Sequence, residues 1–157
     1  MHTDASIRSS KGGIGFCSRR DDSLNTFRAR VHEHKDINRL ELGAIFASIA
    51  MTDTSSDMII YSDSQTSISN IVSTMKRSKY DKLAKYVLQL AYEKEGNIYV
   101  SKVKAHSGNE GNERADALAK EGTSCDFMFV LPDEFESIDS WARYHKESSV
   151  SCMLKSI

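Results

Sequence analysis

Apolar and polar side chains alternate along residues 13–19 and 24–33, with Arg-Arg-Asp-Asp-Ser between the two runs. A period of two on both sides of a polar break predicts an antiparallel hairpin. The period then lengthens. Leu42, Ile45, Phe46 and Ile49 recur at helical spacing, so a helix over roughly 37–51 gains one apolar face, and Asp36 stands where a cap belongs. Met58-Ile-Ile-Tyr61 predicts a short buried strand, with a helix from Ser64 to Met75 behind it. A second amphipathic helix is expected over 79–95, with Leu83, Val87 and Leu90 inward, ending at Gly96-Asn97. Residues 98–103 predict a strand, and 110–121 a helix that stops at Gly122.

With a first strand ending at Asp4, the order is three strands, a helix, a strand, two helices, a strand and a helix. That order predicts an α/β domain: a five-stranded mixed sheet with an N-terminal antiparallel hairpin and helices on both faces. Residues 1–122 form the expected domain and 123–157 a C-terminal extension. In the extension, an apolar run ends at Pro132, and a helix is expected over 133–147 with Phe135, Ile138 and Trp141 on one side, docked on the domain or on a partner.

Bulk composition changes this picture little. A chain of 157 residues, 39% hydrophobic and 27% charged, suits one globular domain with a real core. Neither a long apolar run nor a signal peptide is present, so no membrane partner is expected. Cys17, Cys125 and Cys152 are odd in number and widely spaced, which argues against a zinc site or disulfide framework. An intracellular, reducing location in cytoplasm or nucleus, rather than secretion, is the expectation. The net charge of -1 does not announce a polyanionic partner. Locally, however, Lys76, Arg77, Lys79, Lys82 and Lys85 crowd together with only Asp81 opposing them. Such a run is either a solvated helix face or a phosphate-contacting patch.

The chemistry lies in the acids. Asp63 directly follows an apolar strand, and the carboxyl end of such a strand is where open α/β sheets bind ligands. Glu41 stands one residue off the apolar face of its helix, and Asp4 ends the first strand. Asp116 shares a helical face with Asn112 and Glu113. Taken singly, each reads as a cap, a turn or a solvated acid. Four together are what a pair of hard divalent cations needs, and oxygen donors suit magnesium or manganese. His106 sits on a loop containing Gly108 and Gly111, where an imidazole can shuttle protons.

These segments, His106-Ser-Gly-Asn-Glu-Gly-Asn-Glu-Arg-Ala-Asp116, Tyr61-Ser-Asp-Ser-Gln65 and Asn38-Arg-Leu-Glu41, resemble the type 1 ribonuclease H family over about residues 1–122. The resemblance implies a ribonuclease H-like fold and hydrolysis of the RNA strand of RNA/DNA hybrids, leaving 5′-phosphate and 3′-hydroxyl ends. It further implies two magnesium ions, with manganese as a substitute, on Asp4, Glu41, Asp63 and Asp116. Asp4 would touch both ions, and His106 takes the place of the family's loop histidine. Gln65 matches a position that contacts RNA in the minor groove, while Asn38 and Asn112 match positions near the site. Lys76, Arg77 and Lys79 complete the expected substrate-binding set. Cores of this kind, with no basic protrusion, occur attached to reverse transcriptases or in polyproteins, so a mobile-element or viral setting is a further expectation.

The chain departs from the family pattern in three places. Only Met1, His2 and Thr3 precede Asp4, which leads us to expect a central strand short of its N-terminal half, clipped or continued upstream in a longer gene. Ile7, Arg8 and Ser10 stand where small polar RNA contacts are usual, and Ile37 where asparagine often faces a 2′-hydroxyl. Two rival readings follow: a catalytically degenerate binding or connection module, and a DNA-cutting relative. The intact acids oppose the first, and the histidine loop opposes the second.

Overall fold

The alternating runs at the start of the chain form three antiparallel strands in succession. β1 spans His2–Arg8, β2 Lys11–Arg20 and β3 Ser23–Val31. The computed structural model describes residues 1–20, 23–31, 36–52 and 55–155, so parts of the turn between β2 and β3, and the end of the predicted second run, lie outside the described residues. β1 and β2 pair from His2↔Cys17 to Arg8↔Lys11. The two-residue turn joining them puts Ser9 (φ 50°) and Ser10 (φ 64°) in the left-handed region, the geometry that matches the twist of a tight hairpin. Asp4 is therefore not at a strand end, as expected, but inside a strand that continues four residues past it.

The helix α1 (Ile37–Ala50) begins where its cap predicts, with the Asp36 carboxylate accepting from the Asn38 N–H at 2.9 Å. β4 (Met58–Ser62), α2 (Gln65–Met75), α3 (Lys82–Glu93), β5 (Ile98–Lys102) and α4 (Glu110–Gly122) follow in the predicted order. The second of these helices starts three residues later than its pattern implies, because Asp81 caps it by accepting from Ala84 N–H. Lys79 thus lies on the connection rather than on the helix.

The sheet has six strands, not five, in the order β5-β4-β1-β2-β3-β6. The additional strand is β6 (Met128–Phe129), which pairs parallel to β3 at Arg30↔Met128 and Val31↔Phe129. Burial of Phe129 and Leu131 drives it there, the Phe129 ring lying edge-on to Phe27 with centroids 6.3 Å apart. In the tail, Pro132–Glu134 forms a short 3-10 turn and α5 runs Ile138–Lys155, so this helix begins later and extends further than 133–147. Ile138 and Trp141 are buried in the same core as α1. No helix among the described residues is long and apolar enough to cross a membrane.

Helices cover both faces, and β2 shows why. Ile14 and Phe16 join the core that contains α1. Gly13 and Gly15, pointing the other way by strand alternation, meet α4. A Cβ on Gly15 would stand 2.6 Å from the Ala119 nitrogen and 2.7 Å from the Leu118 Cβ. Backbone cannot yield there, so α4 lies this close to the sheet only over glycine. Gly15→Ala is expected to cost roughly 2–3 kcal/mol of stability by overpacking. Chemical denaturation would measure the loss, and an unchanged midpoint would refute the close contact.

Candidate active site

Three elements deliver three carboxylates to one place. Asp4 comes from the middle of β1, Glu41 from the second turn of α1, and Asp63 from the residue after β4. Each offers an oxygen, and these oxygens all lie within 4.8 Å of one another. Glu41 is buried, not bordering solvent as its place beside the apolar stripe implies, because α1 is covered on all sides from Leu40 to Ile49. Asp63 is half-buried.

Crowding and dehydration set the electrostatics. Burial pushes the Asp4 carboxyl above its ordinary range, opposed by its hydrogen bonds to Glu41 and the Ala5 N–H, and the charges of Asp63 and Asp116 add to the rise. Burial raises Glu41 further, with the Asp4 charge, the shared hydrogen bond and the Asp63 charge reinforcing it. The pair thus holds a proton that two exposed acids would release. Glu41 Oε2 is buried with no hydrogen-bond partner among the described residues. A buried carboxylate oxygen without a partner, on a residue clustered with two other acids, fits a hard divalent cation, which takes oxygen ligands and competes with protons for them.

Asp116, on the second turn of α4, is near enough for its charge to raise Asp4, yet its carboxylate is held by Lys120 at 2.8 Å. Sequence reasoning overlooked Lys120, although a lysine four residues after an aspartate on a helix is a standard partner. It also overlooked Lys102, whose ammonium donates to the Asp63 carbonyl. Lys102 pairs with Ser62 in the β4–β5 ladder, a register that the sequence does not reveal.

The remaining candidates surround the acids to differing degrees. Asn112 is buried on α4, its Oδ1 lacking a partner among the described residues. Asn38 and Gln65 are exposed near the starts of α1 and α2, and the Gln65 amide donates to Ser69 Oγ at 3.1 Å. His106 is exposed with a left-handed backbone (φ 52°) on the loop before α4. Lys76, Arg77 and Lys79 are exposed on the connection between α2 and α3. None of these three lies within the carboxylate cluster, which holds Asp4, Glu41 and Asp63. Arg39, next to Asn38, bridges Asp81 at the start of α3 and Asp133 in the tail, tying that connection to α1.

Comparison with known proteins agrees with this arrangement. A family model described as RNase H matches residues 1–124. A protein from Schizosaccharomyces pombe named ribonuclease H is 30% identical over 135 residues, covering 76% of this chain and 50% of that protein. The chain therefore spans about half the length of this curated relative. The family model covers most of the chain, and on that ground the chain belongs to the RNase H family.

Proposed function

We propose that this chain is an endoribonuclease that hydrolyses the RNA strand of RNA/DNA hybrids, leaving 5′-phosphate and 3′-hydroxyl ends. The observation that carries the reading is the convergence of Asp4, Glu41 and Asp63, with oxygens within 4.8 Å, in a protein of this family. Two divalent cations, magnesium with manganese as a substitute, would be held by Asp4, Glu41, Asp63 and Asp116, and would supply Lewis acidity to the attacked phosphate and its leaving oxygen.

The protein's own groups do the rest. Burial and mutual crowding make Asp4 and Glu41 hold a proton more tightly than free acids, so the cations they would hold would compete with that proton. Water adds to phosphorus, the bond to the 3′ oxygen breaks, and that oxygen takes up a proton. His106, exposed on its loop, is the group we assign to proton movement at the phosphate. Lys120 restrains Asp116 through its ion pair.

Gln65 and Asn38, both exposed, are assigned to the sugar and base edges, and Lys76, Arg77 and Lys79 to backbone phosphates away from the cut; Asn112, buried on α4, is assigned a place beside the site rather than on its surface. A hybrid duplex read through 2′-hydroxyls and groove shape is cut without sequence preference. Ile37, 41% exposed at the first position of α1, offers no hydrogen bond where it faces solvent, so discrimination of RNA must come from the other polar groups.

The test is cleavage of a labelled RNA/DNA hybrid with magnesium or manganese, beside matched double-stranded RNA and double-stranded DNA. Cutting confined to the RNA strand of the hybrid is expected. Binding of the hybrid by folded protein with no cutting in either metal would instead make the chain a binding module. The short β1–β4 ladder, a single register at His2↔Tyr61, is the observation on that side.

A further inference from the structure

Two large apolar side chains stand exposed inside the basic run. Met75 is 59% exposed at the end of α2, and Tyr80 is 69% exposed just before α3. Among the described residues, neither belongs to the hydrophobic core or packs against it. Lys76, Arg77, Lys79 and Lys85 accompany them, all exposed. The Lys85 ammonium stands 5.8 Å from the centre of the Tyr80 ring. Asp81, the acid within the run, is paired with Arg39 at 2.9 Å and caps α3 through the Ala84 N–H, so the outward charge is positive.

The segment that presents Tyr80 has a defined construction. Arg77 donates its N–H to the Thr74 carbonyl at 3.1 Å, and Ser78 donates to the Ser73 carbonyl at 3.0 Å, the paired bonds of a Schellman helix end. The Ser78 hydroxyl adds a bond to the same Ser73 oxygen at 3.2 Å. Arg77 takes the left-handed position (φ 58°) that such an end usually gives to glycine. A long cation is thus held, exposed, where glycine would be easier. On the other side of Tyr80, Asp81 is fixed by its ion pair and its cap. The ring is therefore anchored from both ends and preorganised in solvent.

We propose that Tyr80, with Arg77, Lys79 and Lys85 beside it, is a stacking site for an unpaired nucleobase on a single-stranded extension of the hybrid. Bases inside a duplex have their faces covered by neighbours, so an exposed ring gains most from a strand whose bases are free. The cations follow the phosphates of that strand, whatever its sequence.

Position agrees with this occupant. Arg39 lies two residues before Glu41 on α1 and holds Asp81, the residue after Tyr80. Chain geometry keeps the ring within about 30 Å of the acid cluster, roughly nine base steps along a duplex. A strand leaving a short duplex seated at the acids comes within reach of it. The hybrid itself rests on the proposed function, but stacking on Tyr80 does not require that it be cut.

The experiment measures binding to the full chain by fluorescence anisotropy in chelator, so that no strand is cleaved. A short blunt RNA/DNA hybrid is compared with the same hybrid carrying an oligothymidine tail on the DNA strand, an oligouridine tail on the RNA strand, or an abasic tail of equal length. A base-bearing tail is expected to tighten binding by about tenfold, and an abasic tail of the same charge by far less. Whichever tail gains more identifies the strand that lies on Tyr80. Tyr80→Ala is expected to abolish the gain and leave the blunt hybrid bound as before, while Tyr80→Trp retains it. Because the ring lies outside the core, both variants should fold. Equal gain from base-bearing and abasic tails would overturn the proposal, leaving a phosphate contact only. So would a Tyr80→Ala variant that weakens blunt and tailed hybrids alike, which would put the ring on the duplex. Absence of any gain would overturn it too and leave the surface to a protein partner. A chain that cuts nothing would still show the tail-dependent gain, so the stacking site and the hydrolase reading fail separately.

Discussion

Asp63→Asn is expected to reduce hybrid hydrolysis by about a thousandfold, the consequence of losing several kcal/mol of transition-state stabilisation, while raising the melting temperature of the metal-free protein. The two effects share one cause. The Asp63 charge contributes to lifting both Asp4 and Glu41, so the folded protein bears the repulsion of an acidic cluster that the shared proton relieves in part. Replacing that carboxylate with an isosteric amide removes the repulsion, and with it one of the proposed cation ligands. About 1 kcal/mol of relief corresponds to a rise of roughly 2–4 °C in a chain of this size. Steady-state cleavage and a thermal scan in chelator would test both halves. A variant that lost activity and stability together would mean that Asp63 is structural.

The same shifts give the pH dependence a sign. Asp4 and Glu41 keep protons in the folded state that they release in the unfolded chain. Their contribution to stability is complete below the ordinary carboxylate range and is lost as pH rises through the raised values. The metal-free protein therefore weakens from about pH 4 upward through neutrality, and the gain in Tm on adding magnesium widens over the same interval.

Parts of this site were legible in one dimension and parts were not. Asp36, Ser64 and Asn109 cap their helices with side chains that any reader of the sequence can pick out, so the starts of α1, α2 and α4 were open to inference. That Glu41 is buried was not. Its neighbours Leu40 and Leu42 complete an envelope supplied by α3, the sheet and the tail, none of which local periodicity reports. The start of α3 depends on Asp81, and Arg39, 42 residues away, holds it. β6 is two residues long, too short for any pattern, and exists because Phe129 and Leu131 need cover. Pairing between Ser62 and Lys102, which brings an ammonium to Asp63, follows from register in a parallel ladder. Contacts across the chain, rather than motifs within it, account for these misses; Lys120, four residues after Asp116 on one helix, was legible and overlooked.

Those contacts make the tail energetically central, and Trp141→Ala is expected to cost roughly 3–5 kcal/mol. The Trp141 ring is 5% exposed, edge-on to Phe46 at 4.9 Å and to Phe129 at 5.6 Å, and its Nε1–H donates to the Val130 carbonyl at 2.7 Å. Truncation opens a cavity between α1, β6 and α5 and withdraws that donor. Since a domain of this kind has about 5–15 kcal/mol in hand, the variant should sit near its unfolding threshold at physiological temperature. Trp141→Phe keeps most of the packing and loses the hydrogen bond, so a smaller loss of about 1 kcal/mol is expected. Denaturant titration followed by circular dichroism ranks the three proteins. If Trp141→Ala unfolds with the wild type, the tail is an ornament on the sheet. If it falls as expected, magnesium affinity should fall with it, because Phe46 and Glu41 ride on the same helix, and the packing that holds one in place holds the other.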